Sequence, residues 1–294
     1  MKIALSGSSG FVGSKLCTFF RSQGDEVIEL DREDFHLDAP ALAQKLKGAK
    51  YVIHLAGAPI IKRWTKAYRK EIYDSRILTT RLIVDAMAVM ETPPPHFICA
   101  SATGIYSEQG KHCEDSTALA DNFLGKVCRD WEAEALRAEE ICWRVLIFRF
   151  GIILGKEGGA LPQMAAPFKK GFGGQIASGK QIMSWVHIED VLDVFRFATD
   201  HMKFRGIANV CSPNPVSNKE LTKAISGVFL KPANFRVPAL ALKLVYGEAA
   251  SVLTTGQYVL PCNLNDNGYE FVFSEIDKAL KDLLADPSKK KRTS

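Results

Sequence analysis

Gly7-Ser8-Ser9-Gly10-Phe11-Val12-Gly13 is the stretch from which the rest of the chain can be read. A short apolar run at 2–6 stands before it, and an amphipathic pattern over 11–22 comes after it. Strand, tight turn and helix therefore adjoin. Small residues at 7, 10 and 13 let the backbone turn sharply and approach a ligand, while the first helical turn presents unpaired N–H groups and the positive end of its dipole. A diphosphate suits that arrangement. The spacing G-x-x-G-x-x-G in this context predicts a dinucleotide site built from Gly7, Ser9, Gly10, Phe11, Val12 and Gly13. A plain strand-to-helix turn would use the same three glycines.

Outward from this turn, β-branched and apolar runs at 2–6, 26–31, 51–55, 97–101 and 144–148 alternate with helical patterns over 11–22, 39–47, 65–90 and 122–139. Parallel neighbours need crossover connections, so this alternation predicts an α/β fold, a doubly wound parallel sheet with helices on both faces. The second half is less regular. Glycines at 151, 155, 158, 159, 171, 173, 174 and 179 mark loops, a helix at 188–199 and a strand at 207–211 return to the sheet, and further helices are expected at 217–228, 239–245 and 274–284.

Composition narrows the function classes. With 24% charged and 47% hydrophobic side chains in 294 residues, the chain is globular rather than disordered. No stretch approaches the roughly 18 apolar residues of a membrane span, so neither export nor membrane insertion is expected. The net charge of +5 shrinks to +1 once Lys289, Lys290, Lys291 and Arg292 are set aside, which argues against a duplex-binding surface on the fold. Those four belong to a tail after Pro287 that reads as solvated and disordered. Seven cysteines, at 17, 99, 113, 128, 142, 211 and 262, form an odd set without a Cys-x-x-Cys pair, so neither a disulfide framework nor a zinc site is indicated. A cytoplasmic home and no metal are the expectations.

Asp31-Arg32 ends the second strand pattern, 18 residues past Gly13. A carboxylate there accepts from an adenosine ribose and favours NAD; an arginine pairs with a 2′-phosphate and favours NADP. Both are present, and an exposed turn pair is the plain alternative. His54-Leu55-Ala56-Gly57-Ala58-Pro59 closes the third strand with small residues where ligands of open α/β sheets collect, so Leu55, Ala56 and Gly57 are placed beside the cofactor. His54, between Ile53 and Leu55, reads as a core histidine.

Together these residues resemble the short-chain dehydrogenase/reductase superfamily in its extended, nucleotide-sugar-epimerase-like form. The glycine turn, His54-Leu55-Ala56-Gly57, Ser101-Ala102-Thr103-Gly104-Ile105-Tyr106 and Trp185-Val186-His187-Ile188-Glu189-Asp190 carry the likeness. More narrowly, Asp74-Ser75-Arg76, Cys128-Arg129-Asp130-Trp131-Glu132, Arg149–Gly155, Gly173-Gly174 and Gly247-Glu248-Ala249 resemble the atypical, cell-division-inhibitor-like group of unassigned substrate. The resemblance implies a Rossmann-type NAD(P)-binding domain (1–155 and 187–213) and a smaller C-terminal substrate-side subdomain (156–186 and 214–286), with NADP as cofactor and NAD as the alternative. It also puts Arg76 on a helix beside the cofactor, lets Gln181, Met183 and Trp185 line a substrate pocket, and makes a homodimer through the helices at 65–90 and 122–139 an option.

The usual acid–base pair of that superfamily, a tyrosine four residues ahead of a lysine, is missing. Alignment through Glu132 puts Leu124 and Cys128 in those positions, and no tyrosine of this chain stands four residues before a lysine. Ser101, Thr103 and Tyr106 are then the hydroxyls nearest the nicotinamide end, with Tyr106 the expected proton donor and Ser101 also beside the cofactor. The reading is an NADP(H)-binding oxidoreductase or epimerase-like enzyme acting on a small hydroxyl- or carbonyl-bearing metabolite. Its rival is a dinucleotide-binding sensor without catalysis.

Overall fold

The computed structural model describes residues 1–285, so the basic tail lies outside the described residues. Four parallel strands open the chain: β1 (Lys2–Ser6), β2 (Glu26–Leu30), β3 (Tyr51–His54) and β4 (His96–Ala102). After a two-residue strand, β5 (Lys111–His112), come β6 (Arg144–Phe150), the short β7 (Ile152–Leu154), β8 (Gly174–Ile176), β9 (Ile182–Met183) and β10 (Trp185–His187), and then β11 (Gly206–Val210). Six of these make one sheet in the order β11-β6-β4-β3-β1-β2, and every pairing in it is parallel.

Alternation along each strand feeds two cores. Ile3, Leu5, Tyr51, Ile53, Ile98, Leu146 and Phe148 face α1 (Phe11–Ser22) on one side, whereas Ala4, Val52, Phe97, Cys99, Val145 and Ile147 face α2 (Ala39–Leu46), α3 (Lys66–Ala88) and α4 (Phe123–Leu136) on the other. The first face is completed, past α5 (Leu161–Lys169), by Val191, Val194 and Phe195 of α6 (Ile188–Asp200). This is the doubly wound arrangement expected from the sequence.

Local chemistry sets the boundaries. The helix expected at 65–90 starts at Lys66 because the Thr65 side chain accepts the Tyr68 N–H, and Asn122 caps α4 through the Gly125 N–H in the same way. β2 stops at Leu30, one residue short of expectation, where the Asp31 N–H turns to the Asp34 carboxylate, 2.8 Å away. Further along, α7 (Asn218–Phe229) opens with a capping box between Ser217 and Glu220. It is followed by α8 (Ala239–Tyr246), α9 (Ser251–Thr254), α10 (Cys262–Asp266) and α11 (Ile276–Leu284). No helix among the described residues is long and apolar enough to cross a membrane.

Cysteine spacing misled in one respect. Cys113, just after β5, is bonded to Cys262 at the start of α10, across 149 residues of sequence and a Cα–Cα distance of 5.6 Å. Spacing detects local pairs, and this one is made by β5 and α10 meeting in space. Glu114 stands beside both sulfurs, but its two oxygens accept the backbone N–H groups of Asn209 and Asn263, at 2.7 and 3.2 Å. The other five cysteines are buried free thiols.

Asp190 of α6 anchors the C-terminal stretch. Its carboxylate accepts the N–H groups of Val272 and Phe273 at 2.8 and 3.1 Å, although burial raises its pKa. Asp190→Ala leaves both donors without that acceptor, and a loss of about 2–4 kcal/mol in urea unfolding is expected; a loss under 0.5 kcal/mol would show that these bonds do not hold the segment.

Candidate functional site

The strand order reverses between β1 and β3, and the glycine turn sits at that point. Gly7 has φ +75°, and a Cβ on it would lie 3.0 Å from the backbone of Leu55 and Ala56. A Cβ on Gly13 would lie 2.1 Å from the Gly7 carbonyl oxygen, so the helix can pack on the strand end only with glycine there. The Gly10 N–H closes the turn on the Gly7 carbonyl at 2.9 Å. No side chain caps α1 and no acidic residue occupies its first turn, so the positive end of the helix is left unneutralised by side chains. An open cleft of about 530 Å³ lies here, lined by Ser9, Gly10, Phe11, Ser14, Lys15, Thr18 and Glu157. These features fit a diphosphate.

The Phe11 ring has a different task from ligand contact. Gly155, Gly158 and Gly159 wrap it so closely that a Cβ on either of the first two would come within 2.2 Å of a ring carbon. The loop at 155–159 and the glycine turn are thus packed together.

Asp31 and Arg32 are both exposed, and among the described residues neither side chain has a hydrogen-bonded or ionic partner. The carboxylate that organises this corner is Asp34, buried and paired with Lys45. Leu55 and Ala56 are half-buried behind Gly7, and Gly57 is exposed at the sheet's carboxyl edge.

Beneath this edge, His54 is a core residue as read from its neighbours. Its Nδ1 is 2.6 Å from Ser6 Oγ and its Nε2 3.2 Å from Thr79 Oγ1, tying β1, β3 and α3 together. Burial, then the nearby Arg76 charge, lowers its pKa to about 3. Arg76 reaches under the same edge: its guanidinium donates to the carbonyls of Ile72 and Ala58, both at 3.0 Å.

The expected catalytic hydroxyls are where the structure departs most from the sequence reading. Tyr106 has no exposed surface; its hydroxyl donates to Asn209 Oδ1 at 2.8 Å and accepts from Arg149 at 2.7 Å. Burial pushes its phenol up to about 12, against the opposing Arg149 charge. Tyr106 therefore cannot meet a substrate and is not the proton donor. Ser101, also buried, donates to Glu132 at 2.6 Å, and Glu132 in turn takes a two-pronged ion pair from Arg149, at 2.8 and 2.6 Å. Burial works against the Arg149 charge, but Glu132 outweighs it and holds the guanidinium above its ordinary pKa. Thr103 is 8% exposed, and no protein partner holds its hydroxyl among the described residues. At the vacated lysine position, Cys128 is buried with its thiol pushed up to about 11, chiefly by burial, and is inert near neutrality.

His187 caps α6 through the Glu189 N–H and stacks on Phe273 at 3.7 Å, the capping and docking role that its position suggests. Met183 and Trp185 belong to the main core rather than to a pocket. Gln181 donates its amide N–H groups to the carbonyls of Ile176 and Leu253, and its Oε1 is buried without a hydrogen-bond partner among the described residues.

A protein-family model described as the NAD dependent epimerase/dehydratase family matches residues 3–211. The chain belongs to this family. A second, described as a domain of unknown function (DUF1731), matches 237–283. Among curated proteins, the epimerase family protein SDR39U1 homolog, chloroplastic, of Arabidopsis thaliana is 34% identical across 97% of this chain and 87% of its own length. The epimerase family protein YfhF of Bacillus subtilis is likewise 34% identical, across 97% of this chain and 99% of its own. The crystal structure of human epimerase family protein SDR39U1 with NADPH superposes with a TM-score of 0.89 at 28% identity, covering 96% and 99% of the two chains.

For this epimerase-family member, sequence reasoning quoted Glu132 and Arg149 as matching blocks without giving them chemistry, and missed Asn209. One signal was available. Arg149 interrupts the apolar run Val145–Phe148, and a cation in a strand buried on both faces requires a partner.

The buried histidines make stability depend on pH. His54 is held near 3 and His187 near 4, in both cases mainly by burial, against about 6.5 in the unfolded chain. Below pH 6.5 the unfolded state therefore binds the extra protons, and stability falls with falling pH until the folded pKa is reached. For His54 the slope is about 1.4 kcal/mol per pH unit. His54→Gln should flatten the dependence by that amount between pH 6 and 4.5 in urea titrations; an unchanged slope would exclude His54 as its source.

Proposed function

We propose that the protein is an NADP(H)-binding oxidoreductase of epimerase-like type that acts on a small hydroxyl- or carbonyl-bearing metabolite. The observation that carries this reading is the glycine turn, where Gly7 and Gly13 have no room for a Cβ and the first turn of α1 is left without a side-chain cap or an acidic residue beside a cleft lined by Ser9, Gly10 and Phe11. The NADPH in the SDR39U1 crystal structure supports the choice of cofactor, and Arg32 is exposed where it can pair with a 2′-phosphate.

In this reading the residues divide the work by position. The amides of Phe11, Val12 and Gly13 take the diphosphate; Arg32 takes the 2′-phosphate; Leu55, Ala56 and Gly57 form the floor on which the ligand lies. A bound nicotinamide supplies or accepts the hydride. Thr103, the one expected hydroxyl with no protein partner among the described residues, is assigned to the substrate oxygen. A threonine hydroxyl is far too weak an acid to serve as a neutral-pH donor by itself, so its part is to orient that oxygen and relay a proton to water.

Thermal-shift titration with NADPH, NADP, NADH and NAD tests the cofactor: a ligand at 100 times its Kd adds about 2.7 kcal/mol to the folded state. NADPH is expected to give the larger shift, and Arg32→Ala to weaken NADPH by about 10- to 100-fold while leaving NADH unchanged, the loss of a charge-assisted pair. An NADH preference untouched by Arg32→Ala would transfer the site to Asp31 and NAD. No shift with any of the four would remove the reading altogether. Gly13→Val should abolish binding, and turnover across carbonyl and sugar-nucleotide substrates separates an enzyme from a sensor.

A further inference from the structure

Two stretches of the chain, 158–188 and 221–247, contain no aspartate or glutamate. They hold seven of the 34 basic residues that precede the tail and none of the 33 acidic ones, so the remainder carries 27 basic against 33 acidic. The fold brings the two stretches together. Phe235–Val237 pairs in parallel with β8, and the Phe235 ring meets that of Phe172 at a centroid distance of 5.6 Å. Lys231, just past α7, donates to the Lys169 carbonyl at the end of α5, 2.5 Å away.

Apolar side chains stand out from this face. Phe172, Leu230, Phe235, Leu240, Leu244 and Val245 are 51% to 87% exposed. Leu230 ends α7 in the left-handed region, φ +53°, where glycine or asparagine is favoured, and it belongs to neither core. α8 starts two residues past Val237 and has no buried residue. Leu240, Ala241, Leu244 and Val245 make its outer side, while Leu242 and Tyr246 are half-buried on the other, where Arg63 donates to the Leu244 carbonyl at 3.1 Å. Cations accompany these side chains. Lys169, Lys170, Lys231, Arg236 and Lys243 are exposed, and among the described residues none pairs with a carboxylate. The bordering acids are turned elsewhere, Glu157 to Lys15, Glu248 to Arg69 and Glu220 to the Ser217 cap.

An exposed apolar patch of this size marks a contact surface, and its charge says with what. A second copy is unsuitable, because a two-fold contact through this face brings five cations against five with no carboxylate between them. Protruding leucines and aromatics among unpaired lysines fit an anionic bilayer, whose phosphates take the cations while the apolar side chains reach the acyl boundary. The absence of long apolar runs excludes a membrane span, not a surface assembled from separate segments.

We propose that the face formed by the α5–β8 turn, the end of α7 and α8 is a peripheral docking surface for anionic phospholipid bilayers. Leu240 and Leu244 enter at headgroup depth, and Lys169, Lys170, Lys231, Arg236 and Lys243 meet the lipid phosphates. This surface is independent of the cofactor reading.

Co-sedimentation of the full chain with vesicles tests it, using phosphatidylcholine alone and an equimolar mixture with phosphatidylserine. Binding is expected only to the mixture, and to fall by about 10-fold or more between about 0.1 and 0.5 M salt as screening shortens. Lys169→Glu with Lys170→Glu should weaken it by about 100-fold, and Leu240→Ser with Leu244→Ser, at unchanged charge, by about 10-fold. Both pairs should melt with the wild type, since all four side chains are exposed; should either disturb the melt, Lys243→Glu and Leu244→Ser decide in its place. Binding that ignores the leucines would reduce to bulk charge, and binding that ignores the lysines would lie elsewhere; each overturns the proposal. So does complete loss in the quadruple variant Lys289→Gln, Lys290→Gln, Lys291→Gln, Arg292→Gln, which would assign the binding to the tail. Absence of vesicle binding overturns it too: a solution dimer broken by Leu240→Ser with Leu244→Ser would then give the face to a second copy, and tight binding of polyglutamate would give it to an acidic protein.

Discussion

The contact between the first turn of α1 and the end of β1 is the constraint on which everything else in this molecule depends. Gly13 lies against the Gly7 carbonyl with no space for a methyl group, and Gly7, in a left-handed conformation, lies against the backbone of Leu55 and Ala56. Three chain segments thereby meet with almost nothing but backbone between them. The close approach aims the helix N-terminus at the crevice where the strand order reverses, and it leaves the first amides without partners in the protein. A side chain at either glycine would push the helix off the sheet and remove the binding surface with it.

A second constraint lies one strand over. Ser101, Glu132, Arg149, Tyr106 and Asn209 form a continuous buried set of hydrogen bonds linking β4, α4, β6 and β11. Every polar atom in it has a partner, which is what allows a full ion pair to sit in the interior. The consequence for chemistry is negative: the hydroxyls of Ser101 and Tyr106 are consumed by structure. Where superfamily members of the ordinary kind carry a tyrosine and a lysine, this chain presents a half-buried Leu124 and a buried thiol. The charged groups near the cleft are Lys15 and Glu157 in its lining and the exposed pair Asp31 and Arg32 at the end of β2.

The C-terminal stretch is joined to the sheet by bonds of the same polar kind. Asp190 receives two backbone amides from 272–273, Glu114 receives two more from 209 and 263, and the Cys113–Cys262 bond lies beside it. Glycines at 155, 158 and 159 close around Phe11, so the loop they belong to bears on the helix that follows the glycine turn.

Sequence alone determined what depends on neighbours along the chain. The first helix, the first strand and the capping of α3 and α7 follow from short-range chemistry, and the α/β alternation follows from hydrophobic period, so the parallel sheet and its glycine turn were legible in advance. His54 was also legible, because its flanking residues marked it as core. Tertiary structure decided what depends on distance across the chain. Whether a hydroxyl at 101 or 106 is free or consumed is set by Glu132, Arg149 and Asn209, which lie 31 to 103 residues away, and the same is true of the cysteine pair. A side chain's chemistry is fixed by what it touches, and contacts between remote segments leave no periodic trace in the sequence.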